Sequence, residues 1–217
     1  MRVISRRTLA RVCLPVVAAL TLAAAGACSL LRPTATPAPA FYSLDAPREA
    51  APPAAPAAAP TLIINPSTAA AGYDSQRIIY LREAHKLEYF ANSEWVDPPA
   101  RMLMPLLVAA AEHTGAFRAV VLTPSAAAGD LRLDTEIIRL HHEFLTQPSC
   151  VRFTLRAHLV ENTARRVLAS REFEAVVPAA SENPYGGVVA ANRAVQIVLE
   201  NLAAFCADAV RGARGEK

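Results

Sequence analysis

The chain has 217 residues, 53% of them hydrophobic and 6% aromatic, with 22 basic and 19 acidic side chains for a net charge of +3. Four of the basic residues, Arg2, Arg6, Arg7 and Arg11, lie in residues 1–27 with no acid beside them, which leaves 18 basic against 19 acidic residues, or −1, for the rest. A near-neutral remainder carries no electrostatic footprint for nucleic acid, so that class of partner is set aside.

Residues 1–27 have the order of a secretory signal: a basic start, an apolar run from Val12 to Ala25, then the small residues Gly26 and Ala27 immediately before Cys28. The apolar run is shorter than the roughly 20 residues that a membrane-spanning helix needs. Leu20 to Cys28 reads as a lipobox, in which the Cys28 thiol is acylated and the chain is cut before it. Several acyl chains at about 0.8 kcal/mol per buried methylene make such an anchor permanent. Ser5-Arg6-Arg7-Thr8-Leu9 also resembles a twin-arginine export signal, so the export route stays open between the two.

Residues 28–60 are mostly Ala, Pro and Thr, a composition that favours extended polyproline conformation. The first part, Ser29 to Ala40, spans up to ~37 Å at about 3.1 Å per residue and is expected to hold the domain off the membrane. Within it Phe41-Tyr42-Ser43-Leu44 is an island of strand-forming residues, expected to dock as an edge strand. The compact domain is expected over 61–212, with a disordered tail at 213–217.

In that domain Thr61 to Ile64 predicts a short strand, and Arg77–Leu81 with Lys86–Phe90 a hairpin. Asp97 is placed as the N-cap of a helix that begins at Pro98-Pro99, buries Met102, Leu103, Leu106, Leu107, Ala110 and Ala111, and stops at Thr114-Gly115. Pro105 conflicts with it and requires a bend or a later start. Phe117–Leu122 predicts a strand, and the alternation of Leu131, Leu133 and Ile137 slips at Ile137-Ile138, the mark of a bulge. Val151, Phe153, Leu155, Ala157 and Leu159 are assigned to one face of a strand, and Arg152, Thr154, Arg156 and His158 to the other. The next strand, Val167–Val177, then sets Glu172 and Glu174 near Arg152 and Arg156. A long helix follows, capped by Ser181 or Asn183, with Val188, Ala191, Val195, Val198, Leu202, Phe205 and Ala209 as its buried stripe; Gly212 and Gly215 are expected to end the order. The fold class is α+β: an antiparallel or mixed sheet with two main helices packed on one face.

Gln76 to Arg82, Leu87-Glu88-Tyr89-Phe90, Glu94 to Pro99 and Ala190 to Val195, taken with the lipobox and the Phe41–Leu44 strand, form an ordered set that resembles the ABC-type transport auxiliary lipoproteins. That family includes the C component of the paraquat-inducible (Pqi) lipid-transport system. The resemblance implies a non-catalytic outer-membrane lipoprotein that works with an ABC permease and ATPase and with a periplasmic protein carrying a mammalian-cell-entry (MCE) domain, in a system that moves lipids between the two membranes. It would dock the periplasmic subunit. Ser29 follows Cys28 where an aspartate would favour inner-membrane retention. Two features depart from the family pattern: an expanded Ala/Pro loop after the first strand, and Ala25 where leucine is usual three residues before the cysteine.

Cys28 is the lipidation site. Cys150 and Cys206 are either a disulfide, which would contribute about 4 kcal/mol on the chain-entropy account, or two buried free thiols. Trp95, Arg77 and Arg82 are candidate partner-interface residues, with a core role for Trp95 and a solvated one for the arginines as the competing readings. Neighbouring residues on a strand point to opposite faces, so His141-His142-Glu143 does not converge on a metal. No nucleophile elbow, phosphate loop or metal-ligand spacing is found, and no cofactor is assigned. A periplasmic carrier that binds acyl chains between helices and sheet is the second reading and a periplasmic hydrolase the third, for which Ser125 and Ser170 lie in unremarkable surroundings; self-association is a further candidate contact.

Overall fold

The computed structural model describes residues 38–45 and 51–215. Its strands are β1 (Ala40–Tyr42), β2 (Thr61–Ile64), β3 (Thr68–Ala69), β4 (Arg77–Glu83), β5 (Lys86–Trp95), β6 (Ala119–Leu122), β7 (Leu131–Glu143), β8 (Cys150–Glu161) and β9 (Arg166–Pro178). Two helices accompany them, α1 (Pro99–His113) and α2 (Pro184–Gly215). The fold is mixed α+β, as the sequence predicts.

The sheet is organised around β7. One edge pairs antiparallel with β8 from Leu131↔Glu161 to Glu143↔Cys150. The other edge is shared by three short parallel neighbours in succession: β2 beside Leu131–Leu133, β3 beside Glu136–Ile137 and β4 beside His142–Glu143. The sheet therefore forks. β6 extends the branch that begins with β2, while β5 and then β1 extend the branch that begins with β4. Pairing of β7 with β8 steps from Ile137 to Arg139 and skips Ile138, the bulge expected from the phase slip.

The alternation in β8 divides the molecule into two faces. Val151, Phe153, Leu155, Ala157 and Leu159 are all at or below 2% exposure and face the helices. Each large side chain so buried contributes about 1.5–3 kcal/mol of hydrophobic stabilisation. α2 lays Val188, Ala191, Val195, Val198 and Leu202 on this surface, the predicted stripe, with Phe205 and Ala209 half-buried at its margin. Asn183 caps it: its Oδ1 accepts the Gly186 N–H at 2.9 Å, and Pro184 opens the helix without needing a donor. The helix continues through Gly212 to Gly215 rather than ending at Gly212. By length and hydropathy alone it could cross a membrane, yet half of its apolar window is buried in the domain.

α1 departs from the sequence reading in its cap. Pro98 occupies the N-cap position with no side-chain hydrogen bond, and Asp97 instead accepts from Arg101 at 3.2 Å. The helix runs through Pro105, which faces solvent, so water can satisfy the carbonyl left without a partner. It ends as expected, with Thr114 at the C-cap and Gly115 at φ 61, a left-handed conformation that glycine adopts without strain.

The Phe41–Leu44 island docks as an edge strand. β1 pairs parallel with β5, and Leu44 beyond it is buried. Asn192 of α2 fastens this segment: its amide donates to the Ser43 carbonyl at 3.1 Å and accepts the Asp45 N–H at 2.7 Å. β5 runs on from the predicted hairpin through Asn92-Ser93-Glu94 to Trp95, and the turn is made by Ala84 and His85, the latter at φ 68.

Phe153 is completely buried in a strand paired on both sides. Phe153→Ala is expected to lower unfolding free energy by about 3–5 kcal/mol in urea denaturation. Val176→Ala, on the exposed side of β9, should change it by less than about 0.5 kcal/mol.

Candidate functional site

Cys28, the signal and the first part of the spacer lie outside the described residues. Of the candidate interface residues, Trp95 is not at the surface. It is 3% exposed, inside the core at the end of β5, where it shares a small void with Ile78, Leu140, Val151 and Ala191. Arg77 and Arg82 are exposed on β4. Arg77 lies 4.8 Å over the ring of Tyr89, and Arg82 makes a fork of hydrogen bonds to Glu88 while stacking 5.3 Å over Tyr80. The two guanidinium groups stand on opposite faces of the hairpin, Arg77 on that of the exposed Tyr89 and Arg82 on that of Glu88.

Cys150 and Cys206 are free thiols, not a disulfide. The alternation of β8 explains the separation. Cys150 shares its phase with Arg152 and points to the polar face, where its thiol approaches Glu143 at 3.7 Å. Cys206 is on the core side of α2, against Leu62, Leu107 and Leu202, and burial pushes its thiol up to about 12. The sheet stands between them.

The two neighbouring histidines do point to opposite faces. His141 lies on the polar face, covered by the segment that carries Tyr73. The Tyr73 hydroxyl is 2.8 Å from His141 Nδ1, and His141 Nε2 is 2.9 Å from Glu143. Glu143 also accepts from Arg152 at 2.7 Å, and Arg152 continues to Glu174 at 2.7 Å. Burial lowers the His141 pKa, and the hydrogen bond to Glu143 only partly offsets it. Burial pushes the Glu143 carboxyl up, but the hydrogen bonds from Arg152 and His141 outweigh it and leave the group below its ordinary value.

His142 turns into the core. Its Nε2 is 2.7 Å from Ser149 Oγ, whose backbone N–H donates to Glu182 at 2.9 Å, and its ring packs 4.1 Å from Phe144. Gly187 at the start of α2 lies directly against the ring, since a Cβ there would be 2.5 Å from His142 Nδ1. Burial lowers the His142 pKa, with the Glu182 charge acting against it. The Ser170–His158 contact at 2.8 Å is invisible in the sequence because strand register creates it, and the Ser149–His142 contact because the loop between β7 and β8 does. Ser149 is fully buried and Ser170 stands on the exposed polar face. Neither arrangement offers a nucleophile in a cleft.

The described residues also form surface depressions, two of which bear on function. One, of about 390 Å³, runs between α1 and α2 over Leu106, Ala110, Val195, Leu199 and Ala203. The other, of about 810 Å³, lies between the outer edge of β9 and the C-terminal half of α2.

The described residues form a forked mixed sheet with two helices, an α+β domain. The profile of the ABC-type transport auxiliary lipoprotein component family matches residues 42–203, and the chain belongs to that family. Its fold is similar to that of protein XCC0632 from Xanthomonas campestris, with TM-score 0.71 and 24% identity over 81% of this chain and 98% of that one. A second solved structure, of an uncharacterised protein, aligns with TM-score 0.61 and 14% identity over 78% of this chain and 99% of that one. At these identities the likeness concerns the fold alone. No curated protein matches the chain.

The depressed pKa values of His141 and His142 set a direction for pH dependence. The folded state declines protons that the unfolded state binds, so stability is present above the ordinary 6.5 and is lost as pH falls below it. Glu143 adds a second loss below its ordinary 4.5. Unfolding free energy measured from about pH 7.5 to about pH 5 should fall, and the fall should be shallower in His142→Gln. A flat profile in the unsubstituted protein would contradict this account.

Proposed function

We propose that this member of the family is a periplasmic lipoprotein anchored to the outer membrane through Cys28, a non-catalytic component of an MCE-type ABC system that carries lipids between the inner and outer membranes. Its work is to dock the transporter's periplasmic MCE-domain subunit. The observation that carries this reading is the family match over residues 42–203, preceded in the same chain by a lipobox. The order of parts agrees with it. Cys28 fixes one end, the spacer sets a reach of ~37 Å, and the domain supplies the docking surface. Ser29 after the cysteine favours the outer membrane.

The second reading, a carrier that holds an acyl chain itself, is favoured by the 390 Å³ groove between α1 and α2, whose apolar floor is of the size that small-ligand sites occupy. Native mass spectrometry separates the two, since co-purified lipid supports the carrier.

Two experiments test the main proposal. Affinity purification of the full chain from solubilised envelopes should recover an MCE-domain protein, and recovery of none would remove the docking role. Cys28→Ser should move the protein from the membrane fraction to the soluble periplasm. Retention in the membrane would refute acylation as the anchor.

A further inference from the structure

We infer that the free edge of β9 is a docking site for an extended segment of a partner protein, one in which basic and apolar residues alternate. The inference does not depend on which transporter the protein serves.

β9 pairs with β8 along one edge, and among the described residues nothing pairs with the other. A free edge presents unpaired backbone donors and acceptors, which proteins ordinarily blunt with short strands, proline, bulges or a covering element. The other ends of this sheet follow that rule: β1 has 3 residues and β6 has 4. β9 has 13, its one proline is the last residue, Pro178, and its one register shift lies near the hairpin, beside Leu159 and Val160. From Ala169 to Val177 the strand is regular and open. β9 and α2 together line the 810 Å³ trough. A strand edge facing a helix across a trough is the arrangement in which a peptide joins a sheet by main-chain hydrogen bonds, with alternate side chains providing specificity.

The two faces of β9 specify the occupant. A strand added about 4.8 Å outside β9 would send alternate side chains toward α2, where Ala204, Phe205 and Ala209 line the trough with Asn201 and Asp208 beside them. Arg171, stacked 4.8 Å over the Phe205 ring, stands at its rim. Apolar residues fit against the part formed by Ala204, Phe205 and Ala209. The other side chains would extend the polar face, where charges already alternate across the strands. Glu136 accepts from Arg156 at 3.1 Å and Arg156 donates to Glu172 at 3.0 Å, while Arg152 lies between Glu143 and Glu174 at 2.7 Å from each. Both rows end at the open edge on a carboxylate. Glu172 and Glu174 are 50% and 42% exposed, so each can accept a further partner. Opposite charges on adjacent strands stabilise pairing and like charges oppose it, so the positions beside Glu172 and Glu174 call for lysine or arginine.

The test uses the full chain in detergent and a labelled peptide of about ten residues alternating Lys and Val. Fluorescence anisotropy should show saturable binding, and hydrogen exchange should show new protection confined to β9 amides. N-methylation of alternate peptide residues removes main-chain donors and should weaken binding at least tenfold or so. The Glu172→Gln/Glu174→Gln double variant, confirmed as folded by its melting curve, should lose about the same factor, and a Glu-Val peptide should bind no better than background. Absence of binding, equal affinity of the N-methylated or Glu-Val peptide, or protection elsewhere would overturn the proposal. Protection of β9 that arises from raising the protein's own concentration, without peptide, would overturn it in favour of a second copy of the chain.

Discussion

A strand of 13 residues carries two rows of backbone donors and acceptors, and in β7 both rows are used. The antiparallel neighbour β8 satisfies one row along its whole length. The other is satisfied piecewise by β2, β3 and β4, each too short to stand alone. Those three belong to segments with little else in common: a strand after the Ala/Pro run, two residues of a loop, and half of a hairpin. Their shared dependence on one edge ties residues 61–83 to residues 131–143. The bulge at Ile138 lies between the β2 and β4 contacts. A bulge strengthens local twist, which suits an edge whose neighbours diverge into two branches.

With β7 fixed, the separation of the two faces of β8 follows from a period of two. The apolar face is closed by α2, with α1 beside it, and the polar face is knitted by carboxylate and guanidinium groups in rows. Both sites where a sequence-minded reader would look for chemistry are thereby accounted for by architecture. His141 belongs to the polar network through Tyr73 and Glu143, and His142 to the junction of β7 with the start of α2, where only a glycine at 187 leaves room for its ring. Surfaces capable of receiving something lie at the margins: the groove between the helices and the open edge of β9.

Local periodicity was therefore the reliable guide, and long-range placement was not. The alternation over 151–159, the slip at Ile137-Ile138 and the stripe on α2 were all legible, because a half-buried element writes its period into its residues. The parallel pairing of β2 with β7 joins residues about 70 apart, and nothing local encodes it. Two alternatives that the sequence left open turn on signals of different kinds. The Cys150–Cys206 pairing contradicted a signal already present, since the same alternation that buries Val151 sends Cys150 to the other face. Trp95 is a core residue because those around it, among them Leu140, Val151 and Ala191, are distant in sequence. Asp97 has the chemistry of a cap, but Pro98 holds the chain extended there and Arg101 takes its carboxylate.

The attachment of the spacer to the domain shows how family-specific residues can be structural rather than chemical. β1 contributes only three residues of parallel pairing, too few to hold a tethered domain by themselves. The remainder of the fastening comes from Leu44, buried at 5% exposure, and from the Asn192 amide, which donates to Ser43 and accepts from Asp45 as a strand neighbour would. Asn192 also donates to the Val188 carbonyl one turn earlier, so the clamp is held rigidly to α2. The Ala190–Val195 segment thus works as the fixed end of the spacer. In the proposed lipoprotein any pull on the lipid anchor would be delivered through residues 41–45 to α2, the longest element of the fold and the one that also lines the trough beside β9. An alanine at 192 would leave the Ser43 carbonyl and the Asp45 N–H without these partners, and would loosen the tether at its root while leaving the core beneath it intact.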